Sequence, residues 1–331
     1  MKKSKLGNCT RALLLLTLVL CASSSAWGAE LTPLRANYSA IGGAFAPLWL
    51  AQDDGLFSKH GLAVDLKYIA PGTATQALLS KSLDIINPGG EIIEAGLSGE
   101  KVIYIAGIFN RIVFSVYSKP DIHAFSDLKG RVLGVTQPSS TNDFAARILL
   151  QQAGMVPGKD VRIAFLRGIP QIMAGLSQGI IDAGILSAPT TLKARQAGFR
   201  ELMNITEKNI PMIHAAFAST RDFVKDHPDR VRKFLQGYVE GIKIVRTDPE
   251  QAKLIIGKYT RTTNPEDLEE TYRAYVNVWE KVPYVSAAGV QTLLNFSPSP
   301  NAKTAKPEQF IDDSIVAELD RSAFIDRLYR P

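Results

Sequence analysis

Hydrophobic and polar positions alternate with two different periods along the chain from Leu34 onward. Val64, Leu66 and Tyr68 alternate with polar residues, as in a half-buried strand, whereas other apolar residues recur every three or four positions, as on a helix. Short strands alternate with helices of about ten residues, and this order predicts parallel sheets with helices on both faces. The predicted strands are Leu34–Tyr38, Ala63–Ile69, Leu83–Asn87, Lys101–Ala106, Ile112–Tyr117, Arg131–Val135, Asp160–Leu166, Ile180–Leu186 and Met212–Ser219.

Helices are predicted between these strands and, after the last one, in an almost continuous series. Apolar residues from Val231 to Val245 step by three and four and predict a long amphipathic helix. Breaks at Pro120 and near Pro211 separate a first α/β unit, a second α/β unit and a helical C-terminal region. The main predicted helices are Pro47–Gly55, Thr73–Leu79, Pro170–Gln178, Asp229–Val245, Pro249–Tyr259, Pro265–Lys281, Ser286–Leu294 and Pro307–Leu328.

Residues 1–29 have the pattern of a secretory signal peptide. Four basic residues precede the apolar run Ala12–Leu20, which is too short to span a bilayer, and small residues follow it. We expect cleavage between Ala26 and Ala29 and release into the periplasm. A lipid anchor at Cys21 is the alternative, although Leu18–Leu20 puts a bulky leucine where a lipidation signal has a small residue.

Charge and cysteine content change the picture once this leader is set aside. The 331 residues include 38 basic and 32 acidic ones, a net charge of +6, of which the leader carries four positive charges. The remaining chain is almost neutral and has no basic stripe, so we expect no nucleic-acid partner. Both cysteines, Cys9 and Cys21, lie in the leader, which leaves no thiol for catalysis, a disulfide or a metal. The four histidines lack ligand-like spacing, and no hydrolase or phosphate-loop motif is present, so we expect no metal, cofactor or catalytic residue.

Three stretches carry a characteristic order of elements. They are Ala46–Leu66 (APLWLAQDDGLFSKHGLAVDL), Ala77–Val102 with its segment NPGGE, and Asp127–Asp182 with DLKGRVLGV and SSTNDFAARILLQQAG. In their order and spacing the chain resembles the nitrate/sulfonate/taurine and thiamine-precursor family of ABC-transporter solute-binding proteins. The resemblance implies an α/β fold of the type II periplasmic binding protein class, with two α/β lobes, two crossover segments and a ligand cleft between the lobes.

The resemblance also implies a domain organisation and a function. Residues 30–117 and 212–331 would form lobe one, residues 118–211 lobe two, and Ile112–Tyr117 and Met212–Ser219 the crossovers. A monomer would capture a small organic or oxyanionic solute, such as a sulfonate, carboxylate, nitrate or pyrimidine, by hinge closure and deliver it to an ABC transporter permease. Two alternatives stay open. One is an enzyme on the same scaffold, in thiamine-precursor or menaquinone metabolism, against which the missing cysteines and the export signal count. The other is a ligand-sensing subunit of a membrane receptor.

Candidate ligand-binding residues lie where strands of open α/β sheets end, since ligands of such sheets bind outside the carboxyl ends of the strands. Four loops meet that condition, and two residues near the crossovers join them. The candidates are Ser39, Gly42, Gly43, Phe45, Gly89, Gly90, Glu91, Asn110, Ser139, Ser140, Thr141, Ser187 and His214.

Each candidate has a structural alternative. The pair Gly42-Gly43 could offer backbone N–H groups to a ligand or simply form a tight turn. Amides at Gly89 and Gly90 suit an oxyanion, but Glu91 would repel one, so Glu91 is either a first-turn helix charge or the partner of a ligand amine.

The remaining hydroxyl, amide and imidazole groups also have both a structural and a ligand-binding interpretation. Ser139, Ser140 and Thr141 can cap the following helix or donate to a ligand. Ser187 can belong to a proline turn, Asn110 to an ordinary turn, and His214 to the core as a satisfied buried side chain. Trp49 is expected to pack in the core.

Overall fold

The structure is a computed structural model, and it describes residues 30–330. The predicted signal peptide, with Cys9 and Cys21, lies outside the described residues. Between residues 30 and 330, none of the helices combines the length and the apolar character needed to cross a bilayer.

Strands in the described residues form three sheets. Strands β1 and β2 are parallel, with Leu34 opposite Val64, and β3 and β9 are antiparallel. A five-stranded sheet has the order β6-β5-β7-β4-β8. The strands are β1 (Thr32–Tyr38), β2 (Leu62–Tyr68), β3 (Val102–Arg111), β4 (Ser115–Ser118), β5 (Val132–Val135), β6 (Arg162–Phe165), β7 (Ala183–Leu186), β8 (Arg200–Asn204) and β9 (Pro211–Thr220).

Helices connect the strands and cover the sheets. Several begin at a side-chain cap, such as Ser140, Asp248, Asn264 and Ser286, whose oxygen accepts a backbone N–H of the first turn. The α-helices are α1 (Ala46–Asp53), α2 (Leu56–Lys59), α3 (Pro71–Leu79), α4 (Glu91–Leu97), α5 (Thr141–Gln152), α6 (Ile169–Ser177), α7 (Thr190–Gln196), α8 (Arg221–Asp226), α9 (Pro228–Thr247), α10 (Pro249–Thr260), α11 (Pro265–Val276), α12 (Ala287–Phe296), α13 (Ser314–Arg321) and α14 (Phe324–Leu328).

The segment predicted as the strand Leu83–Asn87 forms only isolated bridges. Ile85 pairs with Ala36 of β1, and Ile86 pairs with Ala218 of β9. The segment is too short to form a ladder of its own, but it joins the two two-stranded ladders into one layer. Asn87, fully buried at its end, donates from its side-chain amide to the carbonyl of Ala216 at 2.9 Å.

Other differences from the prediction have local causes. Gly107–Arg111, which separates the predicted strands Lys101–Ala106 and Ile112–Tyr117, is part of β3, because β9 supplies a partner for it. The five-stranded sheet is mixed: β5, β6 and β7 are parallel, but β4 runs antiparallel to β7 and β8, so the all-parallel prediction was wrong there. The predicted terminal helix Pro307–Leu328 is a 3-10 turn followed by α13 and α14.

The long helix α9 organises the first of the hydrophobic cores. Phe234 of α9 stacks on Phe57 of α2 with ring centroids 5.1 Å apart, and Tyr238 meets Phe217 of β9 edge-on at 4.7 Å. Gly241 lets α9 approach α1 closely, since a methyl group added there would lie 2.1 Å from the Pro47 carbonyl oxygen. The amphipathic stripe predicted from Val231 to Val245 is therefore the face that α9 buries.

We predict that Gly241→Ala lowers the free energy of unfolding by about 2–3 kcal/mol, because the methyl group meets backbone that cannot rotate away. Urea denaturation of the chain from Glu30 measures the effect. Gly72→Ala is the matched control: Gly72 lies in α3, is exposed, and has no atom within 4 Å of an added methyl group. The control should be neutral or stabilising by about 0.5 kcal/mol, and equal losses in both variants would contradict the close helix contact.

Candidate functional site

The chain enters and leaves the five-stranded sheet at one place. Residues 112–114 link β3 to β4, and the Ile112 N–H donates to the carbonyl of Ile210, just before β9, at 3.2 Å. β3 and β9 also pair with each other. The loops at the strand ends of the five-stranded sheet therefore lie next to the loops that follow β1 and the segment 83–87. The Thr141 hydroxyl donates to the carbonyl of His214 in β9 at 2.9 Å. This hydrogen bond connects the two sides of the molecule, the five-stranded sheet with its helices on one side and the β3–β9 ladder with the first strands on the other.

The loop Pro88–Glu91 lies at this meeting point. The Gly89 N–H donates to the carboxylate of Glu91 at 2.7 Å, and the Tyr104 hydroxyl donates to the Gly89 carbonyl. A side chain at Gly89 would come 2.4 Å from the Thr141 hydroxyl, so glycine is required for the two loops to touch. Glu91 is half-buried, and burial raises the pKa of its carboxyl.

The loop Ser139–Thr141 divides its polar groups between capping and contact. Ser140 is the N-cap of α5: its oxygen accepts the Asp143 N–H, and its hydroxyl donates to the Gln137 carbonyl at 2.7 Å. The Ser139 N–H donates to the Asp143 carboxylate at 2.9 Å. Thr141 is therefore the residue of the three whose hydroxyl crosses to β9, whereas Ser140 has the capping role.

His214 lies between these loops and the strand link. Its Nδ1 accepts the Val113 N–H at 3.0 Å, so the neutral ring carries its proton on Nε2. Its ring lies 4.5 Å from that of Phe114 and 5.8 Å from that of Phe109. Burial lowers the pKa of His214 to about 3, because the apolar surroundings disfavour the imidazolium.

The residues of the loop Ser39–Phe45 also differ in how far they are engaged within the protein. The Ser39 hydroxyl donates to the side-chain oxygen of Asn87, and Phe45 is buried in the core. Gly42 is partly buried, with no atom near its Cβ position, but a methyl group at Gly43 would lie 2.2 Å from the Thr271 methyl carbon. Gly43 is thus pressed against α11.

Helix α11 carries a functional candidate that the sequence analysis missed. The buried Tyr275 contacts the Gly43 position, stacks on Phe109 with ring centroids 5.6 Å apart and lies next to Ser187, which follows β7. Burial raises the pKa of the Tyr275 hydroxyl to about 12. Tyr275 therefore links the first loop to the five-stranded sheet.

Polar side chains extend the contact between α7 and α11. Arg195 of α7 pairs with Glu270 of α11 at 2.9 Å and donates to the Tyr117 hydroxyl at 3.1 Å. Thr191 donates to Glu270 at 3.3 Å, and Gln196 donates to Glu266 at 3.4 Å. We call these residues the α7–α11 clasp. The sequence analysis missed it because it did not predict α7.

Asn110 lies within β3 and not in a turn. Its side-chain nitrogen donates to the Tyr284 carbonyl at 2.8 Å, and its oxygen accepts the Ser286 N–H at 2.9 Å. The side chain thus fastens β3 to the start of α12. Trp49, as expected, is fully buried in the core. Across residues 30–330, no three His, Cys, Asp or Glu side chains are grouped to hold a metal ion.

We predict that His214 makes the protein acid-sensitive. Because the folded protein keeps His214 neutral to a pH of about 3 while the unfolded chain protonates it near 6.5, stability is complete above pH 6.5 and falls as the pH drops. Between pH 7 and pH 5 the wild type should lose about 2 kcal/mol more than His214→Asn, whose oxygen can still accept the Val113 N–H. Urea titrations at both pH values test this. The exposed His123→Asn is the control, and a wild-type slope in His214→Asn would refute the assignment.

Solved structures with the same fold are found at low sequence identity. A protein of Bordetella bronchiseptica RB50 superposes with a TM-score of 0.77 at 18% identity, covering 88% of this chain and 98% of that one. The periplasmic nitrate-binding protein NrtA of Synechocystis PCC 6803 gives 0.71 at 16% identity, with 88% and 89% covered. The periplasmic aliphatic sulphonate-binding protein SsuA of Escherichia coli gives 0.66 at 19%, with 84% and 98% covered. The protein therefore has the periplasmic binding protein fold, as the sequence predicted.

Sequence comparisons identify the family. The chain is 29% identical over 262 residues to a Brucella abortus (strain 2308) protein named, without further assignment, as a binding protein; the match covers 76% of this chain and 79% of the relative. A family profile described as NMT1/THI5 like matches residues 43–252. Since that match spans more than half of the sequence, the chain belongs to the NMT1/THI5-like family.

Proposed function

We propose that the protein is the solute-binding component of an ABC importer, which captures a small solute in the periplasm and delivers it to the permease. The observation that carries the proposal is the meeting of strand-end loops from the two sides of the molecule, where Gly89, Thr141 and His214 are in contact. Nitrate- and sulphonate-binding proteins of the periplasm share the fold and support this choice. The predicted signal peptide is consistent with that location.

Hinge closure is the proposed mechanism. Residues 30–117 and 212–331 would form one lobe and residues 118–211 the other, with the strand link at residues 112–114 and the start of β9 as the hinge. Closure would bring together the two halves of the α7–α11 clasp at the partly exposed edge of the cleft, which we call the rim. It would also bring together the loops of Gly89 and Thr141 at the centre of the cleft, near the hinge. A solute shifts the balance toward the closed form only by the amount by which it binds that form more tightly.

A binding role also suits the chemistry of the proposed site better than catalysis. His214 is neutral and its Nδ1 is engaged by the backbone, so it is unavailable as a base. The hydroxyls of Ser140 and Thr141 donate to backbone carbonyls and not to a base that would activate them. We therefore propose a monomeric binding protein without a catalytic residue or cofactor.

A thermal-shift screen of small organic and inorganic solutes tests the proposed function. A solute at 100 times its dissociation constant should stabilise the protein by about 2.7 kcal/mol. In Gly89→Ala, where the added methyl group pushes the loops apart, that stabilisation should disappear, while in Gly72→Ala it should persist. Stabilisation by zinc alone, or turnover of a bound compound, would contradict the proposal.

The α7–α11 clasp should bias the protein toward closure. Arg195 and Glu270 are partly exposed, so their pair is worth about 0.5–1 kcal/mol, which corresponds to about a threefold change in an equilibrium. Arg195→Ala should increase the radius of gyration of the ligand-free protein in X-ray scattering and weaken solute binding about threefold. Arg273→Ala removes an arginine of α11 whose ion pair within residues 30–330 is with Glu269 of the same helix, and it should change neither quantity. Identical scattering from all three proteins would show that the clasp does not hold the rim.

A further inference from the structure

Several of the hydrogen-bond donors expected to hold an oxyanion already have acceptors within the protein. The Gly89 N–H donates to Glu91, the Ser139 N–H to Asp143, and the Thr141 hydroxyl to the His214 carbonyl. Three further predicted donors are engaged in the same way. Ser39 donates to Asn87, Ser140 to the Gln137 carbonyl and Asn110 to the Tyr284 carbonyl.

Two of those internal acceptors are carboxylates that occupy the positions an anion would need. One carboxylate oxygen of Glu91 lies 2.7 Å from the Gly89 nitrogen, and one of Asp143 lies 2.9 Å from the Ser139 nitrogen. A sulfonate or nitrate would have to displace both and would be repelled by both. The loops whose sequence predicted an anion site thus already contain two carboxylates at the positions of the anion.

The two carboxylates differ in how their charge is balanced. Asp143 pairs with Arg147 at 2.9 Å. Glu91 accepts backbone N–H groups and makes no ion pair with any residue between 30 and 330. A half-buried carboxylate without a cation costs free energy, and a cation brought by a ligand would recover it.

Nearby residues do not provide that cation. His214 is neutral, since burial holds its pKa at about 3. Arg195 is committed to Glu270 and Tyr117 at the rim, and Arg111 donates to Asn209 and to the Asn277 carbonyl. None of these three side chains is therefore free to neutralise Glu91.

Because Glu91 has no cation beside it among residues 30–330, we infer that the solute is a small organic cation, whose protonated amine or amidine nitrogen pairs with Glu91, and not a sulfonate or nitrate. A charge-assisted bond of this kind is stronger than a neutral one, and an amidine can engage both carboxylate oxygens. The inference rests on the proposed function, since it places the solute where the loops of Gly89 and Thr141 meet. It narrows the range of solutes that the fold and family leave open.

Matched compounds that differ in charge test the inference. The probes are benzylamine, benzamidine and butylamine, set against benzoate, benzenesulfonate and butanesulfonate, with binding followed by thermal shift and calorimetry. We expect stabilisation by at least one cation and by none of the anions. Glu91→Gln, which keeps an oxygen for the Gly89 N–H, should weaken binding of that cation about tenfold or more. Glu100→Gln changes an exposed acid shortly after α4 and should leave binding unchanged.

The outcomes separate the inference from the function beneath it. Stabilisation by an anion, equal or stronger in Glu91→Gln, overturns the cation inference and leaves a solute-binding protein. Equal binding of the cation to the wild type and Glu91→Gln also overturns it, because Glu91 would then be only a first-turn helix charge. If none of the cations binds, the cation inference is overturned, while the proposed function is still decided by the broader solute screen described above. The comparison of cations with anions on the wild type does not depend on the folding of any variant.

Discussion

The antiparallel pairing of β3 with β9 is the constraint on which the arrangement of the molecule depends. These strands are about 110 residues apart in sequence, yet they pair from Val102 with Thr220 to Arg111 with Pro211. Everything between them, including the five-stranded sheet, must leave and return at the same place. Three register shifts interrupt the ladder, and such irregularities bend and twist a strand pair. A paired but irregular link holds the two sides in register and suits the proposed hinge.

Polar contacts at the rim and centre suit a reversible closure. Arg195 and Glu270 are partly exposed, and a pair of this kind changes an equilibrium by a small factor. Apolar contact is present as well, since Phe144 of α5 lies against Gly90 in a buried core that both sides share. At the centre, Thr141 and Glu91 satisfy backbone groups within the protein, so the site is ordered before a solute arrives. The charge left unbalanced at Glu91 then decides which solutes it favours.

The sequence predicted the fold class and the position of the strand-end loops, but not which partners the side chains of those loops would bind. The apolar stripe of α9 and the strand β9 were predicted because their periodicity is long and regular. Helix α7 was missed because Thr190–Gln196 is short and mostly polar, and the clasp was missed with it. No local pattern reveals that Tyr275 reaches Ser187, since the two are brought together by tertiary packing. Among the neighbours Ser140 and Thr141, either could have been the cap, and the direction of the chain into α5 decides it.

Spin-label distance measurements test the closing cleft most directly. Because the chain has no cysteine after Cys21, Lys193→Cys on α7 and Arg261→Cys at the end of α10 provide two unique labelling sites on opposite sides of the clasp. The account predicts a broad or longer distance distribution without solute, which becomes shorter and narrower when a binding solute is saturating. Identical distributions with and without a solute that demonstrably binds would contradict it.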